Sequence, residues 1–71
     1  MNILVFKTNI RYKKHISALT THMDNMEGVI RWNVDLDDKD KILRVEARDL
    51  SPRMVEHTLL QAGYVCEELN D

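Results

Sequence analysis

The sequence predicts an α+β sandwich, a four-stranded antiparallel sheet with two helices on one face. Two stretches carry apolar residues at spacings of three and four, the repeat of a helix face, and two others alternate apolar with polar, the repeat of a strand. The alternating stretches are neighbours across a polar turn and read as a hairpin. Short apolar segments near either end supply the first and last strands. The order is β-α-β-β-α-β, the ferredoxin-like arrangement, in which the sheet buries both helix stripes.

Each element has its own signal. "NILVFKT" (2–8) is apolar and β-branched enough for the first strand. From Tyr12 to Glu27, the residues Ile16, Leu19, Met23 and Met26 form one helical stripe, with Thr8 or Asn9 as its cap and Gly28 as its stop. "VIRWNVDL" (29–36) sets Ile30, Trp32, Val34 and Leu36 against Arg31, Asn33 and Asp35. "DDKD" is the turn, and "ILRVEAR" (42–48) sets Leu43, Val45 and Ala47 against Arg44, Glu46 and Arg48. Ser51 caps the second helix, Pro52 takes its first position, Val55, Leu59 and Ala62 form its stripe, and Gly63 ends it. "YVCEEL" makes a short last strand. Trp32 is assigned to the core, and Met1, Met23, Met26 and Met54 suit core stripes better than a thioether metal site.

Residues 1–71 fit a single domain with a small core. No apolar run approaches the ~18 residues of a membrane span, and "MNILVFK" is too short and too uncharged at its front for a secretion signal. The one cysteine, Cys66, excludes an internal disulfide, so nothing implies an oxidising compartment and a cytoplasmic location is expected.

The net charge of −2 conceals an asymmetry. Through Met23 the chain carries Lys7, Arg11, Lys13 and Lys14 and no acid, whereas the remainder is net acidic. Three of those cations, with His15, fall at the start of the first helix, where the backbone dipole is already positive and further cations are disfavoured.

The stripe, "MEGVIRWNVDL", "DDKDKILRVEA" and "SPRMVEHTLLQAGY" together resemble the heavy-metal-associated domain of copper chaperones and metal-pumping ATPases. That family has Met-x-Cys-x-x-Cys, apolar helix positions one, four, eight and eleven after the second cysteine, then Gly-Val. Counting back from Gly28-Val29 places those positions on Ile16, Leu19, Met23 and Met26, without a gap from Ile10 to Gly63. Ile10 then stands where the family has methionine, and Tyr12 and His15 where it has its two cysteines.

The resemblance implies a soft-metal site, and the residues at its positions do not supply one. Cu(I) favours paired thiolates, while tyrosine, with a pKa near ~10, is a poor ligand. No metal site of the family type and no cofactor are therefore expected. The alternative is residual copper or zinc binding through His15, with a second chain completing the ligand set. His15 and His22 lie about 10 Å apart along the helix and cannot share an ion. His57 belongs to the other helix, and Cys66 reads as a small packing residue of the last strand.

The chain shows no nucleophile–base spacing and no glycine-rich phosphate loop, so no enzymatic activity is expected. Asp35, Asp37, Asp38 and Asp40 lack the glycine and terminal glutamate of a calcium loop. The open sheet face would present Arg31, Asn33, Asp35, Arg44, Glu46 and Arg48 without an aromatic, which argues against nucleic acid. What remains is the basic corner, Arg11, Lys13, Lys14 and His15 with Lys7 nearby. In the family the corresponding loop is where partner domains dock. The expected function is a protein-interaction module for an acidic partner surface.

Overall fold

The computed structural model describes residues 1–69, in the order β1 (Asn2–Thr8), α1 (Lys13–Asp24), β2 (Val29–Asp35), β3 (Ile42–Ala47), α2 (Pro52–Gln61) and β4 (Cys66–Glu68). The four strands form one antiparallel sheet in the spatial order β2-β3-β1-β4, as the ferredoxin-like arrangement requires. Leu4 pairs with Val45 and Phe6 with Leu43, so the inward residues of the two central strands meet on one face. Leu19 and Met23 of α1 and Val55 and Leu59 of α2 close over them, all four fully buried. Each such side chain contributes roughly 1.5–3 kcal/mol by leaving water.

Ile10 completes this core from a loop. It is fully buried, and its N–H donates to the Thr8 hydroxyl at 3.2 Å. The chain between β1 and α1 is thereby pinned at an apolar anchor immediately before the candidate site begins.

Both helix starts depend on local chemistry, with opposite results. Ser51 caps α2 by accepting the Arg53 N–H at 3.2 Å, and Pro52 opens the helix. For α1, the expected cap at Thr8 or Asn9 is wrong: the helix begins at Lys13, and Tyr12 occupies the capping position without a side-chain hydrogen bond. Thr8 and Asn9 lie too far upstream to reach the first-turn N–H groups and act as loop ties instead. Thr8 donates its hydroxyl to the Lys41 carbonyl, and the Asn9 Oδ1 accepts the Val65 N–H at 2.9 Å.

Gly28 likewise does not end α1, which closes at Asn25. It serves the turn that follows, at φ 98°, where an added Cβ would lie 2.9 Å from the Arg48 carbonyl oxygen. Its own carbonyl accepts the Arg48 N–H at 2.8 Å, which draws the start of β2 against the end of β3.

The alternation expected across β2 breaks at its first inward residue. Val29 pairs with Ala47 but Arg31 pairs with Glu46, so Ile30 is the extra residue of a bulge. Ile30 is 50% exposed, and Val29 packs on the core in its place. Trp32, Val34 and Leu36 keep their assigned side, though only half-buried. The Trp32 indole N–H donates to Asp24 at 3.3 Å, so this residue lies at the rim of the core, and its assignment as a core residue is too deep. Met23 and Met26 belong to the core stripe as assigned, but Met1 and Met54 are exposed, so their assignment to core stripes is wrong.

Candidate functional site

Two loops and one helix end build the corner where α1 begins. The Asn9 N–H donates to the Val65 carbonyl and the Asn9 side chain receives the Val65 N–H, so the loop before α1 and the loop after α2 are laced together. The end of α2 fixes what the second loop presents. Gly63 adopts φ 98°, its N–H reaches the Leu60 carbonyl, and the Tyr64 N–H reaches that of Leu59 at 2.9 Å. This is a Schellman stop, which requires a left-handed residue at the glycine. It delivers Tyr64 to the start of α1.

His15, in the first turn of α1, lies between two aromatic rings. Its ring centroid is 5.2 Å from that of Tyr12, edge to face at 68°, and 5.4 Å from that of Tyr64. Such pairs are attractive because a positive ring edge meets a negative ring face. The His15 Nδ1 accepts the Arg11 N–H at 3.4 Å, leaving Nε2 as the ring's other nitrogen. The Lys14 ammonium lies 5.6 Å from the Tyr12 ring centroid, within cation–π range.

Arg11, Lys13 and Lys14 are exposed around this cluster, and the first turn of α1 contains no acid. Their charges add to the helix dipole instead of cancelling it. Lys7, expected beside them, lies on the open face of the sheet, at the register position facing Glu67. The sequence reading also missed two cations. Lys39 and Lys41, from the β2–β3 hairpin, line a cleft of about 430 Å³ with Thr8, Asn9, Arg11 and Tyr12. The signal was present, since this topology sets the hairpin turn at the same end as the first strand–helix loop. The Lys41 ammonium is engaged by the Leu36 carbonyl at 2.6 Å. The same turn carries Asp37, Asp38 and Asp40, so the cationic surface is bordered by an acidic one.

As a metal centre, this donor set is poor. Tyr12 and His15 are brought together, but Cys66 lies in β4 at the register position facing Thr8. Burial, aided by the Glu56 carboxylate, pushes its thiol up to about 12 from an ordinary 9.0, which keeps it protonated at neutral pH. Among the described residues, no group of three or more His, Cys, Asp or Glu side chains is placed to hold an ion. The residues present do not fit the soft metal that the family resemblance implied. No helix among them is long and apolar enough to cross a membrane.

No family model matches the chain, and no curated protein is similar to it in sequence. Solved structures are similar to it in fold. The yeast copper transporter domain Ccc2a, solved in apo and Cu(I)-loaded states, superposes with a TM-score of 0.84 at 14% identity, covering 100% of this chain and 99% of that one. The Cu(I)-loaded first domain of the human copper chaperone for SOD1 gives 0.77 at 20%, covering 93% and 89%. The Atx1–Cu(I)–Ccc2a complex gives 0.82 at 14%, covering 100% and 99%. The fold is that of heavy-metal-associated domains.

Proposed function

We propose that this chain is a non-enzymatic, cytoplasmic interaction module of the heavy-metal-associated type, one that has lost the cysteine pair and docks an acidic protein surface at its β1–α1 corner. The observation that carries this reading is the exposed trio Arg11, Lys13 and Lys14 at an uncapped helix start without acids, set around the Tyr12–His15–Tyr64 rings. An exposed cationic patch speeds encounter with an anionic surface and orients it. The ring cluster gives that surface a firm floor. The similar structures include the Atx1–Cu(I)–Ccc2a complex, which supports protein docking as a use of this fold.

The test is site-specific photocrosslinking from position 13 in cells that express the protein, followed by binding measurements with the purified captured protein. Lys13→Glu with Lys14→Glu should weaken binding by tenfold or more and flatten its salt dependence, as loss of two charge contacts requires. Lys7→Glu, on the open face, should leave it within about twofold. Equal losses from both would move the interface off the corner. Residual copper or zinc binding through His15 is the competing reading. A second chain would supply the further ligands it needs, and retention of Cu(I) by the purified protein at concentrations where two chains can meet, against a chromophoric chelator, would replace the docking proposal.

A further inference from the structure

The sheet has two edges of different character. β4 spans only three residues, a short edge of the kind that discourages further pairing. β2 spans seven and is the outermost strand on the other side. Its bulge at Ile30 interrupts only the beginning, and residues 31–35 run in continuous register with β3. That stretch, Arg-Trp-Asn-Val-Asp, contains no proline or lysine, and its two charges, Arg31 and Asp35, are of opposite sign and so do not repel a partner strand that sets one against the other.

We infer that this edge pairs with the same strand of a second copy of the chain, antiparallel about Asn33. The charge pattern selects both occupant and register. β2 carries one cation and one anion, Arg31 and Asp35, on the open face and four residues apart. A two-fold axis midway between them, at Asn33, sets Arg31 of each copy opposite Asp35 of the other. Shifting the axis by two residues toward the start would oppose Arg31 to Arg31, and toward the end Asp35 to Asp35. Opposite charges directly across an antiparallel pair are stabilising and like charges destabilising. Asn33 meets itself on the axis, where an amide serves, because it carries both a donor and an acceptor. On the helix side Trp32 faces Val34 twice, an aromatic–β-branched pairing that covers two half-buried side chains.

Both charged groups retain capacity for this contact. Arg31 engages Glu46 through Nε at 3.3 Å with its side chain 80% exposed, which leaves the outer face of the guanidinium available. Asp35 uses Oδ1 to accept the Asp37 N–H at 3.0 Å, and its second carboxylate oxygen is the one that reaches across.

Sedimentation equilibrium from micromolar to millimolar chain tests the pairing. The parent chain should show a reversible monomer–dimer equilibrium. Arg31→Asp alone and Asp35→Arg alone should each weaken it by about tenfold or more, since each makes both cross-strand pairs like-charged. Mixing the two variants in equal amounts should restore dimer, because every pair across the mixed interface is again one acid and one base. Circular dichroism checks each fold, and Asn33→Asp, which places two carboxylates on the axis, serves as the weakening variant if either of the others unfolds. A parent that stays monomeric throughout, or a dimer indifferent to these changes or not restored by mixing, overturns the inference.

Discussion

The imidazole of His15 and the phenol ring of Tyr64, 49 residues apart in sequence, have centroids 5.4 Å apart, and the second is held there by the glycine stop of α2. The contact joins the first turn of one helix to the end of the other. An aromatic pair of this kind has a coupling energy of about 0.5–1.5 kcal/mol beyond its buried area. A double-mutant cycle of His15→Ala and Tyr64→Ala, read by urea unfolding, should return that value. Strict additivity would reduce the two rings to bystanders.

The two glycines separate strain from crowding. Both adopt φ 98°, but a Cβ at Gly28 meets the Arg48 carbonyl oxygen at 2.9 Å and one at Gly63 meets nothing within 4 Å. Gly63→Ala should therefore cost only the left-handed backbone penalty, about 1–2 kcal/mol. Gly28→Ala adds a backbone clash and should cost at least about 1 kcal/mol more. Paired urea melts give the difference, and equal costs would remove the crowding argument.

Trp32 sits at the rim, so its truncation should be milder than that of a central residue. Trp32→Ala should cost about 1–3 kcal/mol, below the ~3–5 of a fully buried aromatic, and Leu19→Ala about 2–5. A larger loss at Trp32 than at Leu19 would place the indole inside the core.

Cys66 makes an alkaline prediction. Its thiol ionises near 9.0 in the unfolded chain and about 12 in the folded one, chiefly through burial and secondarily through Glu56. Below pH 9 both states hold the proton and stability does not depend on this group. Between 9 and 12 only the unfolded chain releases it, so stability falls as pH rises. Cys66→Ala should flatten that part of the profile relative to the parent. Iodoacetamide at pH 8 should also modify the native thiol at least about a hundredfold more slowly than the urea-unfolded one, because the thiolate is the nucleophile.

What was legible in the sequence follows period and chemistry. The stripes Leu19/Met23 and Val55/Leu59 and the inward set Leu43, Val45, Ala47 are all buried, because a repeat averaged over several turns or residues tolerates local error. Single-residue events were not legible. The bulge that expels Ile30 depends on how Gly28 meets Arg48 across the sheet, and the lacing by Thr8 and Asn9 depends on residues more than 30 positions away. Of the corner, Arg11, Lys13, Lys14 and His15 stand together as read, while Tyr64, Lys39 and Lys41 arrive through tertiary structure.

The register that sets Tyr12 and His15 at the metal-ligand positions can be tested by rebuilding the site. Tyr12→Cys with His15→Cys, in a Cys66→Ser background, places one thiol at the capping position of α1 and the other in its first turn. The His15 N–H already donates to the Tyr12 carbonyl at 2.9 Å, so the two backbones are close. The helix start, with Lys13 and Lys14 between the two positions, favours thiolate over thiol, which is the metal-binding form. Two soft ligands on one loop should then hold one Cu(I) per chain under reducing conditions, measured by competition with a chromophoric chelator. A control pair one residue off register, Arg11→Cys with Lys14→Cys, keeps the spacing but takes both thiols off the capping and third helical positions, and should compete at least about tenfold less well. Equal retention by both pairs, or none by the first, would show that the count back from Gly28 misplaces the ligand positions.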